Sequence, residues 1–152
     1  MGVRGARRVD RQSRMFGAMT LRATRACLPT SGRGEFPHRN TEADGFVRTA
    51  PVRSFKANGF GLFDMGGNVW EWCADAYGRD AYARRAGSKV ISNPLVERSA
   101  DPRNPRTTSR AQRGGSFLCN DKYCSRYRPS ARHGLSPDTG MSHVGFRCVK
   151  SP

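Results

Sequence analysis

Asn58-Gly-Phe-Gly-Leu-Phe-Asp-Met-Gly-Gly-Asn-Val-Trp-Glu-Trp-Cys-Ala74 decides how this chain is read. Its first half is glycine-punctuated and opens on an Asn-Gly turn signal. From Asn68 it alternates with period two, which predicts a strand near residues 69 to 74. Trp70 and Trp72 fall on one face and are expected to be buried together; Val69, Glu71 and Cys73 fall on the other. Working outward, Arg113-Gly-Gly-Ser-Phe-Leu-Cys119 places two glycines before a short apolar segment. Backbone can pass there close to another chain or a ligand, and a second strand is expected near 113 to 118. His143-Val-Gly-Phe-Arg-Cys-Val149 alternates again and predicts a closing strand with Val144, Phe146 and Cys148 together. Between them, residues 79 to 112 are polar and expected to be mostly loop. Few long helices and many turns follow from 17 Gly and 9 Pro.

The 152 residues carry 27 Lys and Arg against 12 Asp and Glu, a formal charge of +15, with a mean hydropathy of −0.70. Such an excess raises the prospect of an acidic partner, because each cation that neutralises a phosphate releases a counterion. No zinc-finger spacing, RNA-binding aromatic signature or basic helix with heptads accompanies it, so nucleic acid is not expected as a partner. No apolar run approaches the roughly 20 residues that cross a bilayer, and Met1-Gly-Val-Arg-Gly-Ala-Arg-Arg8 leads into no apolar segment. No membrane and a cytoplasmic location are the expectation. Residues 1–33 hold eight Arg and one acid, Asp10, with no hydrophobic period. They are expected to be a disordered head, and the folded domain is expected over residues 34–152.

Cysteines stand at 27, 73, 119, 124 and 148. An odd count without a signal segment argues against a complete disulfide framework and turns attention to metal or redox chemistry. Cys119 and Cys124, with four residues between them, could take a soft ion, Cu(I) or Zn(II), close to a disulfide, or remain inert buried thiols. Lys122 and Arg126 are expected to favour thiolates. His133, His143 and Cys148 could add zinc ligands, though none sits in a knuckle spacing.

Taken together, Asn58 to Trp72, Arg113-Gly-Gly-Ser-Phe117, the Cys119/Cys124 pair, Ser125-Arg-Tyr-Arg128, Ala131-Arg132 and Gly145-Phe-Arg-Cys148 resemble the formylglycine-generating enzyme (sulfatase-modifying factor) family. The Cys-x4-Cys pair directly after Arg-Gly-Gly-Ser separates that branch from the wider superfamily. The resemblance implies an α+β, C-type-lectin-like fold with a large irregular fraction. It implies oxidation by molecular oxygen of a cysteine in a Cys-x-Pro-x-Arg segment of a sulfatase polypeptide to formylglycine. It makes Cys119 and Cys124 the Cu(I) ligands, with Cys124 engaging the substrate sulfur, and puts Ser116 and Tyr123 in the substrate and oxygen pocket. It also implies a structural calcium at Asp64, Gly67, Val69 and Glu71. A second calcium set matches Asp44 and Phe46, but its upstream ligands, in an Asn-hydrophobic-Trp-Gln stretch, are absent here. The alternative is a superfamily member that only binds, with structural cysteines.

The family runs to roughly twice this length, and residues 1–33 match nothing in its first half. A truncated carboxy-terminal half is therefore expected, with activity impaired and the head either disordered or read out of frame. Cys148 then loses its family partner and is expected to be a buried lone thiol or mispaired, while Cys73 is assigned to the core.

Overall fold

A computed structural model describes residues 34–35, 37–87, 94–99, 108–120, 123–124 and 126–150. The expectations for the head, residues 1–33, and for Lys122 lie outside these residues. Two sheets form. The first pairs β1 (Gly34–Glu35) with β2 (Arg39–Asn40) in a short antiparallel hairpin. The second is built on β3 (Trp70–Ala76), with β4 (Arg110–Arg113), β5 (His133–Leu135) and β6 (Val144–Gly145) in the order β5-β4-β3-β6. β4 is antiparallel to both β3 and β5, and β6 lies parallel to the start of β3. Strand and irregular content match the expectation; helix among the described residues is limited to a 3-10 turn, Ala83–Arg85.

β3 forms where its alternating aromatic and small residues predict it, but its two indoles are not equivalent. Trp70 is buried, whereas Trp72 is half-buried. The cause is the position of each along the strand: Trp70 lies opposite Val144 of β6, and Trp72 opposite Gln112 of β4, just where the β3–β4 register shifts. The bulge turns the strand and opens one edge of its aromatic face.

The second strand is displaced from its expected place. It occupies Arg110–Arg113, and residues 114 to 118 turn instead. Gly114 and Gly115 have φ of 92° and 73°, so the chain leaves the sheet where extended backbone would have had to continue. The glycines do allow a close approach: a Cβ on Gly115 would stand 2.9 Å from Tyr127 Cα. The closing strand is likewise shorter than expected. Only Val144 and Gly145 find partners, against Trp70 and Glu71, and the chain then swings out so that Phe146 and Cys148 are exposed. Cys148 is a free surface thiol rather than a buried or mispaired one, and Cys73, within β3, is half-buried and outside the core cluster.

The core is small. Trp70, Tyr127 and Cys119 cluster at its centre, with Cys124 and Val144 packed against them. Alanines at 50, 76, 81 and 111 fill the remaining buried apolar positions among the described residues. Asn68, also buried, acts as a strut: its Oδ1 accepts the Ala50 N–H at 3.0 Å and its Nδ2 donates to Ala50 O at 3.1 Å. Residues 50 and 68 are thereby tied together as a strand pair would tie them, but by one side chain.

Candidate functional site

Two glycine turns from distant parts of the chain carry the site. Gly67 N donates to Gly114 O at 2.8 Å and Phe117 N to Asn68 O at 2.9 Å, so the turn before β3 and the turn after β4 are bonded to one another. Ser116 leaves this junction fully buried, and its carbonyl accepts the Cys119 N–H at 2.9 Å. Asn120 O then accepts from both Tyr123 N and Cys124 N, closing a tight loop. The loop returns Cys124 to Cys119, with the two Sγ atoms 2.7 Å apart.

This dithiol is asymmetric. Cys119 is buried against Trp70 and Tyr127, while Cys124 is partly open. Burial pushes the Cys119 thiol up to about 12, and its hydrogen bond with Cys124 adds to the shift; hydrogen bonds from Ser116 pull the other way. At Cys119, burial therefore prevails over the cation support expected from Arg126. Arg126 acts instead on His133, whose pKa is lowered first by burial and then by that guanidinium. Without a metal Cys119 holds its proton. Two adjacent thiols, one desolvated and one reachable, form a donor set suited to a soft monovalent ion, which would displace that proton.

Of the remaining residues singled out from the sequence, Ser116 stands beside Cys119 and Tyr123 is largely exposed. His133 rests against the Trp70 ring at 5.5 Å and His143 against Phe117 at 6.5 Å. No group of three or more His, Cys, Asp or Glu able to hold a metal occurs among the described residues, so the zinc set does not assemble there.

Asp64, Val69 and Glu71 line a pocket of about 310 Å³, and Gly67 is buried in the turn between them. Asp64 takes φ of 52°, and its Oδ2 accepts the Arg53 N–H at 2.9 Å. Its Oδ1 is buried with no hydrogen-bond partner. An orphaned carboxylate oxygen beside a second carboxylate fits a hard divalent cation. Arg147 is a site residue that the sequence motif does not single out: its guanidinium forks onto both Glu71 oxygens and donates to Phe63 O at 3.0 Å and Asp64 O at 3.2 Å. The available signal was a lone cation in an otherwise apolar closing segment. Asp44 and Phe46 are satisfied within the chain: Asp44 Oδ1 accepts the Phe46 N–H, and Phe46 O accepts from the Asn40 amide.

The fold and site define a loop-rich, sheet-based domain whose core packs against a dithiol on a short return loop. The chain belongs to the family described as sulfatase-modifying factor enzyme 1-like domain, which matches residues 5–152. It is 46% identical over 120 residues to the formylglycine-generating enzyme of Thermomonospora curvata, covering 78% of this chain and 37% of that protein. It is 31% identical over 121 residues to the inactive C-alpha-formylglycine-generating enzyme 2 of Mus musculus, covering 78% and 31%. Among solved structures it is similar to PvdO from Pseudomonas aeruginosa, with a TM-score of 0.52 and 28% identity over 69% of this chain and 35% of that one. The chain thus spans about a third of the length of such relatives.

Proposed function

We propose that this chain carries the copper-binding centre of a formylglycine-generating oxidase, which converts the cysteine of a Cys-x-Pro-x-Arg sulfatase segment to formylglycine with molecular oxygen. The observation that carries the reading is the approach of Cys119 and Cys124 to 2.7 Å beside buried Trp70 and Tyr127. Cu(I), held by Cys119 and Cys124, would supply the redox chemistry toward oxygen. The chain's own part is to position and to exclude water. Cys119 anchors the pair from within the core, and Cys124, on the open side, is the sulfur an incoming peptide thiol can reach. Ser116 fixes the turn that aims Cys119 and offers its hydroxyl beside it, and Tyr123 at the surface is positioned to meet the substrate peptide. A structural calcium at Asp64, Gly67, Val69 and Glu71 belongs to the same proposal and is supported by the orphaned Asp64 oxygen.

The test is a Cu(I) titration against a competing chelator, repeated with Cys119→Ala and Cys124→Ala. Each substitution is expected to lower the affinity at least about a hundredfold, since a soft ion loses half its sulfur ligands. A second reading, a family member that binds without catalysing, is favoured by the likeness to the inactive mouse relative. Cu(I) affinity unchanged in both variants would decide for it.

A further inference from the structure

The pocket at Asp64 and Glu71 already contains a cation. It is lined by two carboxylates and two arginines, but the arginines are used differently. Arg53 reaches Asp64 only through its backbone N–H, while its guanidinium lies over the Phe63 ring, 5.5 Å from the centroid. Arg147 instead places its whole fork among acceptors: both oxygens of Glu71, the carbonyl of Phe63 and the carbonyl of Asp64. These join three separated stretches, residues 63–64, β3 and the segment after β6. That is the role a bound ion plays in a loop cluster, gathering oxygens that would otherwise repel. Glu71 cannot give the same two oxygens fully to a guanidinium and to a divalent ion, and two cations within a few ångströms oppose one another. Asp64 Oδ1 is the acceptor in this cluster that the guanidinium leaves unserved.

We propose that Arg147 and a divalent calcium ion are alternative partners of Glu71, with the Arg147 fork holding the cluster together in the metal-free chain and setting the affinity by having to be displaced. The inference rests on the calcium reading above and goes beyond it, because it assigns Arg147 as the residue that determines how tightly the ion is held. It also makes the loop before β3 keep its shape with or without the ion, so that the nearby dithiol turn, bonded to it through Gly67 and Asn68, is not dependent on calcium.

Isothermal titration of calcium into the full chain tests this, comparing the native sequence with Arg147→Gln, Arg147→Lys and Glu71→Gln. Arg147→Gln is expected to tighten calcium at least about tenfold, by removing the competing charge. Arg147→Lys keeps the charge but lacks the fork, and is expected to tighten it by a smaller factor. Glu71→Gln is expected to abolish binding. If the native chain binds calcium and neither Arg147 variant binds it more tightly, the competition is overturned and the calcium site stands. If no variant binds calcium, the site itself is overturned and the competition with it. Should Arg147→Gln fail to fold, Arg147→Lys decides alone, unchanged affinity counting against the proposal.

Discussion

Cys119 is where burial and chemistry conflict. Taking its thiol out of water holds the proton on up to about 12, so a metal that needs the thiolate must expel a proton at any ordinary pH. The sign follows directly: acid supplies the competitor, so apparent Cu(I) affinity rises with pH. The Cys119 proton alone is expected to give about a tenfold gain per pH unit across pH 6 to 8, measured by chelator competition at fixed ionic strength. A pH-independent affinity would mean that this sulfur is not a ligand. Ser116 modulates the same equilibrium, because its hydrogen bonds to Cys119 favour the charged sulfur. Ser116→Ala is expected to weaken Cu(I) by about threefold to tenfold at pH 7, within the range of one lost ordinary hydrogen bond. Because the Ser116 backbone remains to accept the Cys119 N–H, the loop should persist and the change should be confined to affinity.

At the level of elements, the two glycine turns do what strands do elsewhere: they bring sequence-distant segments into register. Gly115 is the tighter glycine of the turn after β4, with φ of 73° and Tyr127 backbone at 2.9 Å from where a Cβ would be. Gly115→Ala is expected to cost about 2–4 kcal/mol by denaturant titration, combining left-handed strain with a backbone clash, and to lower Cu(I) affinity as the turn shifts. Gly59→Ala is the control: a Cβ there meets open space, and the cost is expected within about 0.5 kcal/mol. The same contrast explains what was legible in the sequence. Alternation marked β3, and paired glycines marked a close approach, because both are local signals. The position of β4 was misplaced by several residues, because the glycines that mark the approach also end the strand. The exposure of Phe146 and the fork of Arg147 were not legible, since each depends on what the start of β3 offers across the sheet. Of the candidate site, the spacing of the cysteines was readable, but the asymmetry of their burial was not: it is created by Trp70, some fifty residues earlier.

For the whole molecule, the question is whether so small a centre can order so much loop. The buried apolar set among the described residues is Trp70, Tyr127, Cys119 and four alanines, while Val52, Phe146 and Val149 stand at 81%, 75% and 86% exposure. Ordering each residue costs about 1–2 kcal/mol of backbone entropy, and alanines return little of it on burial. The isolated chain is therefore expected to unfold over a broad thermal range and to bind a hydrophobic dye before heating. A sharp, two-state calorimetric transition would contradict this. Metal should act on that same balance. An ion that binds only the folded chain at 100 times its dissociation constant adds about 2.7 kcal/mol, a large increment to a marginal fold. Cu(I) loading is thus expected to raise and sharpen the transition. The Cys119→Ala and Cys124→Ala chains should melt alike with and without it, because the two sulfurs tie the turn after β4 to the core at Trp70. If both cysteine variants were stabilised by Cu(I) as much as the native chain, the ion would be acting elsewhere and the link from dithiol to fold would be broken.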